Sequence, residues 1–436
     1  MRKKMMALVA LCALLAATAC SGSSGKTAEE SATGSQAGSQ EKVELKMSWW
    51  GGDQRHVKMN EVLDKFEQKY PNIKVNREFT TYDEYWNRFA VEAAGKNAPD
   101  VFFTNPGGIG QYISRGQIMG LKSMVDAKEI DLSNFEQKLI DVGVMNGEIY
   151  MVTYGTTTTA LYYNKTLFDK IGVAPPEMNI SWDQFSQKAK EVQAKLPKGV
   201  WAVEDNGGRM NPFNHYLATQ GKNFYSKDGK LEVTKDDVIA YFKLWDDIRK
   251  SGATPPPQVQ AEYPTENPEQ SMISRGVVAM QMGVSNQFNA YQMGTKDQLD
   301  MVRLPVYDPA NPQGQIVWGT FLSMSAHTEH PKEAAMLINY LVNDPDAMNV
   351  IKMEFGPIGS KTLAEAIKPT LSESEVKGIA FMDSVAQYIT LQNFAPPGAP
   401  EVDSAFVRAY EKVAFGQESI EQAADEFMQA ANEALQ

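Results

Sequence analysis

The stretch from Val43 to His56, VELKMSWWGGDQRH, changes character halfway along. Val43, Leu45, Met47 and Trp49 alternate with Glu44, Lys46 and Ser48, the period of a strand with one more polar face. Two tryptophans then run into Gly51-Gly52, and Asp53, Arg55 and His56 follow. Met59, Val62, Leu63, Phe66 and Tyr70 recur at three- and four-residue steps, which predicts a helix ended by Pro71. Ile73, Val75 and Phe79 predict a second strand. Thr81 and Glu84 have capping-box spacing ahead of a helix presenting Tyr85, Trp86, Phe89, Ala90 and Ala93, with Gly95 as its stop. Val101-Phe102-Phe103, after Pro99-Asp100, reads as a buried parallel strand. Strand, helix, strand, helix, strand is an α/β signature.

Further along, Ile149–Val152 and Ala160–Tyr163 read as two separate strands, and Trp182-Asp183 starts a helix running to about Lys195. A helix from about Asp236 to Lys250 buries Val238, Tyr241, Phe242, Trp245 and Ile248. Val277–Met282 and Val317–Ser325 are strand candidates. The C-terminal part reads mostly as helices, punctuated at Pro345, Pro369 and Ala395-Pro396-Pro397-Gly398. No internal repeat is present.

A chain of 436 residues with 43% apolar content can fill two or three cores. Its first 19 residues belong to none of them: Arg2-Lys3-Lys4 is a basic region, Met5–Ala19 an apolar run too short to span a bilayer comfortably, and small residues close it. Residues 1–19 are expected to be a signal peptide. Cys12 would leave with it, so Cys20 would be the mature chain's single cysteine, and no disulfide or cysteine-based zinc site is expected. Leu15–Cys20 resembles a bacterial lipobox, with Ala17 where such boxes usually carry Leu, and the resemblance implies a lipid on Cys20. Residues 20–42 carry almost no apolar bulk and are expected to form a flexible tether, with a reach on the order of 25 Å. Formal charge is −12, and about −15 once the three basic leader residues are gone. That argues against nucleic acid and against steered anionic ligands, and points to a neutral one. Four scattered histidines make a metal site a poor reading.

Several stretches together resemble the family 1 extracellular solute-binding proteins of ABC importers, the group that includes maltose-binding protein. They are Val43–His56, "YPNIKV", "GKNAPDVFFTN", "GEIYMVTYGTTTTALYYNKTLFDKIGVAPP", "SWDQF", "SRGVVAMQMG" and "GTFLSMSAHTEHPKEAAMLINYLVNDPDA", in the family's order. The resemblance implies two α/β lobes joined by three crossings with a ligand cleft between them. The crossings are expected near Val152–Gly155, Met280–Gly283 and Trp318–Phe321. The first lobe would then take 43–152 plus 282–317, and the second 153–281 plus 318–436.

Ligands of α/β sheets sit beyond the carboxyl ends of strands. Trp49 shares a face with Met47 and reads as core, whereas Trp50 begins the irregular segment and could lie flat against a sugar ring. Gly51-Gly52 would let the backbone approach the ligand. Asp53, Arg55 and His56 could serve its hydroxyls, although His56 could equally sit at the start of the next helix. Position in the resemblance implies further cleft residues: Tyr82, Asn105, Tyr154, Thr157, Arg209, Asn211, Asn286 and Gln287. The last two stand where many relatives carry "NGPW", so the expected tryptophan is missing, and Trp318 could replace it. Trp86, Trp182, Trp201 and Trp245 read as packing residues.

The resemblance implies a non-enzymatic, lipid-anchored protein on the outer face of the cytoplasmic membrane. It would be a monomer without cofactor that captures an oligosaccharide and delivers it to an ABC permease. The competing readings are a surface glycoside hydrolase, for which nothing fixes two carboxylates at a set separation, and the same fold binding a peptide or polyamine.

Overall fold

The computed structural model describes residues 41–263 and 267–436, so the signal peptide, Cys20 and nearly all of the tether lie outside the described residues. β1 (Val43–Trp50) pairs in parallel with β2 (Ile73–Thr80) along its whole length, from Val43 opposite Ile73 to Trp50 opposite Thr80. On its other side lies β3 (Val101–Thr104), with Met47 opposite Val101. The helices Asp53–Lys69 and Tyr82–Ala94 make the crossovers. Covered on both faces, such strands can be apolar throughout, and the last four residues of β1 are all buried. The capping box expected at Thr81 does not form, because Glu84 accepts from the Thr80 hydroxyl instead.

A short hairpin of β4 (Val144–Met145) and β5 (Glu148–Ile149) leads into β6 (Val152–Asn164). Val152, the end of one strand expected at 149–152, and the strand expected at 160–163 are linked through Thr-Tyr-Gly-Thr-Thr-Thr-Thr, since β6 runs unbroken from Val152. Four consecutive threonines suit extended backbone, because a β-branched side chain is at ease on a pleated surface. All 13 residues of β6 are buried, over a span on the order of 40 Å.

β7 (Trp201–Val203), β8 (Val278–Val284), β9 (Leu299–Arg303) and β10 (Val317–Met324) complete the set. The order is β2-β1-β3-β10-β6-β8-β7, with β9 also on β6. β10 is antiparallel to both β3 and the first half of β6. The second half of β6 takes β8 and β9 as antiparallel partners. One strand thus serves two sheets.

The cores follow that division. The first contains β1–β3, Phe321–Met324 and the helices Pro331–Asn343, Pro345–Ile351 and Lys361–Ile367. Along β6, Leu161 and Tyr163 face a second core with Ala279, Met280, Met282, Leu304 and the C-terminal helices Ala399–Ala414 and Ile420–Ala434. Ala160 and Tyr162 face a third, with Leu299, Met301, Phe381 and Val385. Period-two alternation thus sandwiches the second sheet between two cores.

This two-lobed α/β fold has three crossings: the expected Val152–Gly155 lies in β6 and Trp318–Phe321 in β10, while the third differs from the one expected. Met280–Gly283 is no crossing, since it pairs with Tyr163–Ala160 inside the second sheet. The crossings are β6, β10, and the turn between helices Lys361–Ile367 and Glu373–Val385, whose residues pack in the first and third cores respectively. Residues 299–304 accordingly share cores with the second lobe, and 321–367 with the first, the reverse of the expected division. An apolar strand reads the same whichever sheet it joins, so the pairing partner, which decides the lobe, left no local mark in the sequence.

Where β6 crosses, backbones touch. A methyl group on Gly155 would collide with Phe355, and one on Gly356, whose φ is +93°, with the Thr156 carbonyl oxygen. Thr156 donates to the Pro357 carbonyl oxygen from both its backbone nitrogen, 3.0 Å, and its hydroxyl, 3.1 Å. Gly356→Ala should therefore cost about 3 kcal/mol or more of stability, from the left-handed backbone and the lost close approach together. The denaturant midpoint measures it, and a loss below about 1 kcal/mol would mean the two backbones can part freely.

Candidate functional site

At the meeting of the lobes lies a cleft of about 1760 Å³. Trp50 ends β1 there, but it is 7% exposed and ringed by Tyr82, Tyr85, Trp86 and Phe103, with centroids 5.0–5.9 Å away. It therefore offers the cleft an edge of packed core rather than a free indole face. Trp86, expected to be a packing residue, is only half-buried and lines the cleft. It can lie there because residue 108 is glycine: a Cβ at that position would meet the Trp86 ring at 2.7 Å.

Nine of the expected residues line the cleft: Trp50, Arg55, Tyr82, Asn105, Thr157, Asn211, Asn286, Gln287 and Trp318. Asn105 does local work as well, its Oδ1 accepting from Gly108 N to cap the helix Pro106–Ser114 and its Nδ2 donating to Tyr82. Thr157 donates to Asn286 Oδ1 at 3.0 Å, which ties β6 to the turn after β8 and leaves the Asn286 amide N–H groups for a ligand. Trp318 stands opposite Thr157 in the β6–β10 ladder and is half-buried. Arg55 is held in place by Glu354, 3.2 Å away, and lies over the Phe355 ring at 4.6 Å.

Four expected residues are absent from the lining. Asp53 is exposed at the first position of its helix, where a carboxylate favours the helix dipole. His56 accepts from Trp49 Nε1 at 3.1 Å and packs 4.5 Å from Phe79; burial lowers its pKa, in keeping with a neutral acceptor. Tyr154 is buried core, with its hydroxyl on Met59 Sδ. Arg209 turns to Glu204 at 3.2 Å, and its neighbour Asn211 enters the cleft instead.

Sequence reasoning missed Gln111, Tyr112, Asn214, Asn223, Tyr225 and the segment Ile389–Pro397, all of which line the cleft. That segment had a signal. It carries Gln392, Asn393 and Phe394 beside two prolines in a stretch with no regular structure before helix Ala399–Ala414, and such loops are often functional. What holds it is a fully buried arginine. Arg303 donates to Gln315 Oε1 at 2.7 Å, Asn179 Oδ1 at 3.0 Å and the Gln313 carbonyl at 2.7 Å, and lies 4.5 Å over Tyr388. Gln315 in turn exchanges backbone bonds with Tyr388 and Thr390, each 2.9 Å. Burial lowers the Arg303 pKa to about 10, which still leaves it charged at neutral pH.

Two other buried groups titrate abnormally. Burial pushes Glu204 up to about 7, against the pull of Arg209, while an unfolded glutamate sits at 4.5. Between those values the native state binds more protons, so this group's contribution to stability is lost as pH rises through that window. His215 acts oppositely: burial lowers it from 6.5 to about 3, and its contribution is lost as pH falls through that range. Glu204→Gln removes the first slope alone. Relative to the parent, the variant should gain about 2 kcal/mol between pH 5 and pH 7. Urea melts across that range measure the difference, and parallel curves would show that Glu204 is ionised throughout.

Among the described residues no cluster of histidine, cysteine and carboxylate side chains could hold a metal ion, and no helix is long and apolar enough to cross a membrane. The family model for bacterial extracellular solute-binding proteins matches residues 61–372. The chain is 25% identical over 187 residues to the lactose-binding protein of Rhizobium radiobacter, covering 42% of this chain and 43% of that protein, so the match spans under half of that relative. An ABC substrate-binding protein from Listeria monocytogenes in complex with cycloalternan shares the fold at a TM-score of 0.76 and 19% identity, over 90% of this chain and 99% of the other. So does a periplasmic oligogalacturonide-binding protein from Yersinia enterocolitica in complex with saturated digalacturonic acid, at a TM-score of 0.76 and 22% identity, over 91% of this chain and 100% of the other. With the family model covering most of its length, the chain belongs to the bacterial extracellular solute-binding proteins.

Proposed function

We propose that the protein captures an oligosaccharide between its lobes and passes it, chemically unchanged, to the permease of an ABC importer. The observation that carries this reading is the make-up of the cleft. Eight asparagines and three glutamines line it together with three tryptophans, three tyrosines and three phenylalanines. An amide offers both a donor and an acceptor, which is what a hydroxyl requires, and aromatic faces suit the C–H faces of sugar rings. The volume exceeds the roughly 300–1,000 Å³ of pockets for drug-sized ligands, which favours more than one ring. The lactose and cycloalternan named for the similar proteins agree with this.

In this reading the first lobe comprises about 43–154 and 321–371, the second about 160–316 and 373–436. A ligand touching both walls favours the closed arrangement by its differential affinity for it, and the permease reads the closed outer surface. The monomer acts at the cell surface, held by a lipid on Cys20 at the outer face of the cytoplasmic membrane. No covalent step is required, so turnover of a bound glycan would revive the hydrolase reading.

Trp318→Ala should weaken binding of the cognate sugar by about 2 kcal/mol or more, as removal of a buried aromatic anchor does, with little change in melting temperature. Calorimetry on folded variant protein decides it, and an unaltered dissociation constant would take Trp318 out of the site. Cys20→Ala should release the protein into the medium of the producing cell, as judged by fractionation. Persistent membrane association would refute the lipid anchor.

A further inference from the structure

Four carboxylates and two cations line the cleft: Asp141, Asp228, Glu401 and Asp403 against Arg55 and Lys227. One of the two cations is held by the protein. Arg55 shares the Glu354 carboxylate, 3.2 Å away, with Lys58 at 2.9 Å and is stacked on Phe355, so its guanidinium is engaged with protein groups rather than open to the cleft. Lys227 is followed in sequence by Asp228, which also lines the cleft. An anionic ligand would thus meet four carboxylates against Lys227 and an Arg55 engaged by Glu354, although Asp228 has Lys230 at 3.7 Å.

Helix N-termini are the other usual source of positive potential, and three face the cleft. The helix Pro106–Ser114 starts with a proline, which has no N–H, and its Gly108 N–H is taken by Asn105 Oδ1 at 2.9 Å. The helix Ala399–Ala414 has Pro400 and Glu401 in its first turn, so one donor is missing and a carboxylate is already present. The helix Met210–Ala218 has Pro212 in its first turn, and Arg209 at its start is paired with Glu204 at 3.2 Å and absent from the lining. Each end that could greet an anion is capped, interrupted or already occupied.

We propose that the cleft accepts uncharged oligosaccharides and rejects those bearing carboxylates, an inference that rests on the saccharide reading above. Amides and aromatic rings recognise the neutral rings, and Glu401 and Asp403 repel uronate units. The digalacturonic acid held by the Yersinia protein of the same fold is then outside this protein's ligand class, although the two share a backbone. Specificity here resides in the charge of the lining and is invisible at the level of the fold.

The test is calorimetry on the full mature chain with two panels of matched lengths. One contains neutral gluco-, manno-, galacto-, xylo- and arabino-oligosaccharides, the other oligogalacturonides. The expected result is a neutral ligand that binds at least about 100-fold more tightly than any uronate of its length, with the gap widest at low salt. A uronate binding as tightly as the best neutral sugar would overturn this inference and leave the saccharide reading standing. Silence from both panels would overturn the saccharide reading and this inference with it. In a Glu401→Gln, Asp403→Asn double variant the gap should narrow by about tenfold, and an unchanged gap would overturn the assignment of the rejection to these carboxylates.

Discussion

The hydrogen-bond ladder of β6 is the constraint on which the remaining structure depends. A strand that belongs to two sheets cannot slip in one without breaking its register in the other. Its central threonines each hold a different piece of the cleft. Thr156 grips Pro357, and with it the loop that carries Phe355. Thr157 holds Asn286 and the turn after β8. Thr158 accepts from Gln315, whose backbone in turn holds Thr390. Three walls of the cleft thus hang from three consecutive residues, and the four-threonine run reads as scaffold before it reads as ligand site.

Buried charge marks the places where that scaffold is most demanding. Arg303 is fully buried, and its bonded partners are carbonyl oxygens and side-chain amides rather than a carboxylate. Removing a charge from water is costly, and a planar fork of donors is the form of cation best able to recover that cost from fixed oxygens. The result is a rigid post for Ile389–Pro397, a segment that has no regular structure of its own. Arg55 and Glu354 do comparable work on the first lobe, joining the Trp50 corner to the loop at Phe355. In both places a charged residue near the cleft is engaged with protein atoms.

Much of the architecture was legible from periodicity. The α/β alternation, the helices at Trp182 and near Asp236, and the strand candidates after Val277 and Val317 appear within a few residues of their expected places. Nine of the residues expected at a ligand cleft do line the cleft between the lobes, because strand ends and crossings converge there. Asp53, His56, Tyr154 and Arg209 do not. Asp53 and His56 stand within two residues of Arg55, and Arg209 within two of Asn211, which line the cleft, and a shift of one or two positions on a helix turns a side chain toward a different surface. Tyr154 lies three residues before Thr157 on β6. His56 found Trp49, and Arg209 found Glu204, partners that no spacing rule names.

By itself, then, the sequence determined the local elements, the family to which the chain belongs, and the broad region of the cleft, since these depend on patterns within short windows. Tertiary structure decided which lobe each late element joins and which aromatic ring reaches the ligand space. It also decided which cations are free to act. Those outcomes depend on pairings across 100 residues or more, as when Arg55 meets Glu354 or Thr158 meets Gln315. An apolar strand carries no mark of its distant partner, and a charge carries no mark of whether it will be neutralised. Only packing settles both.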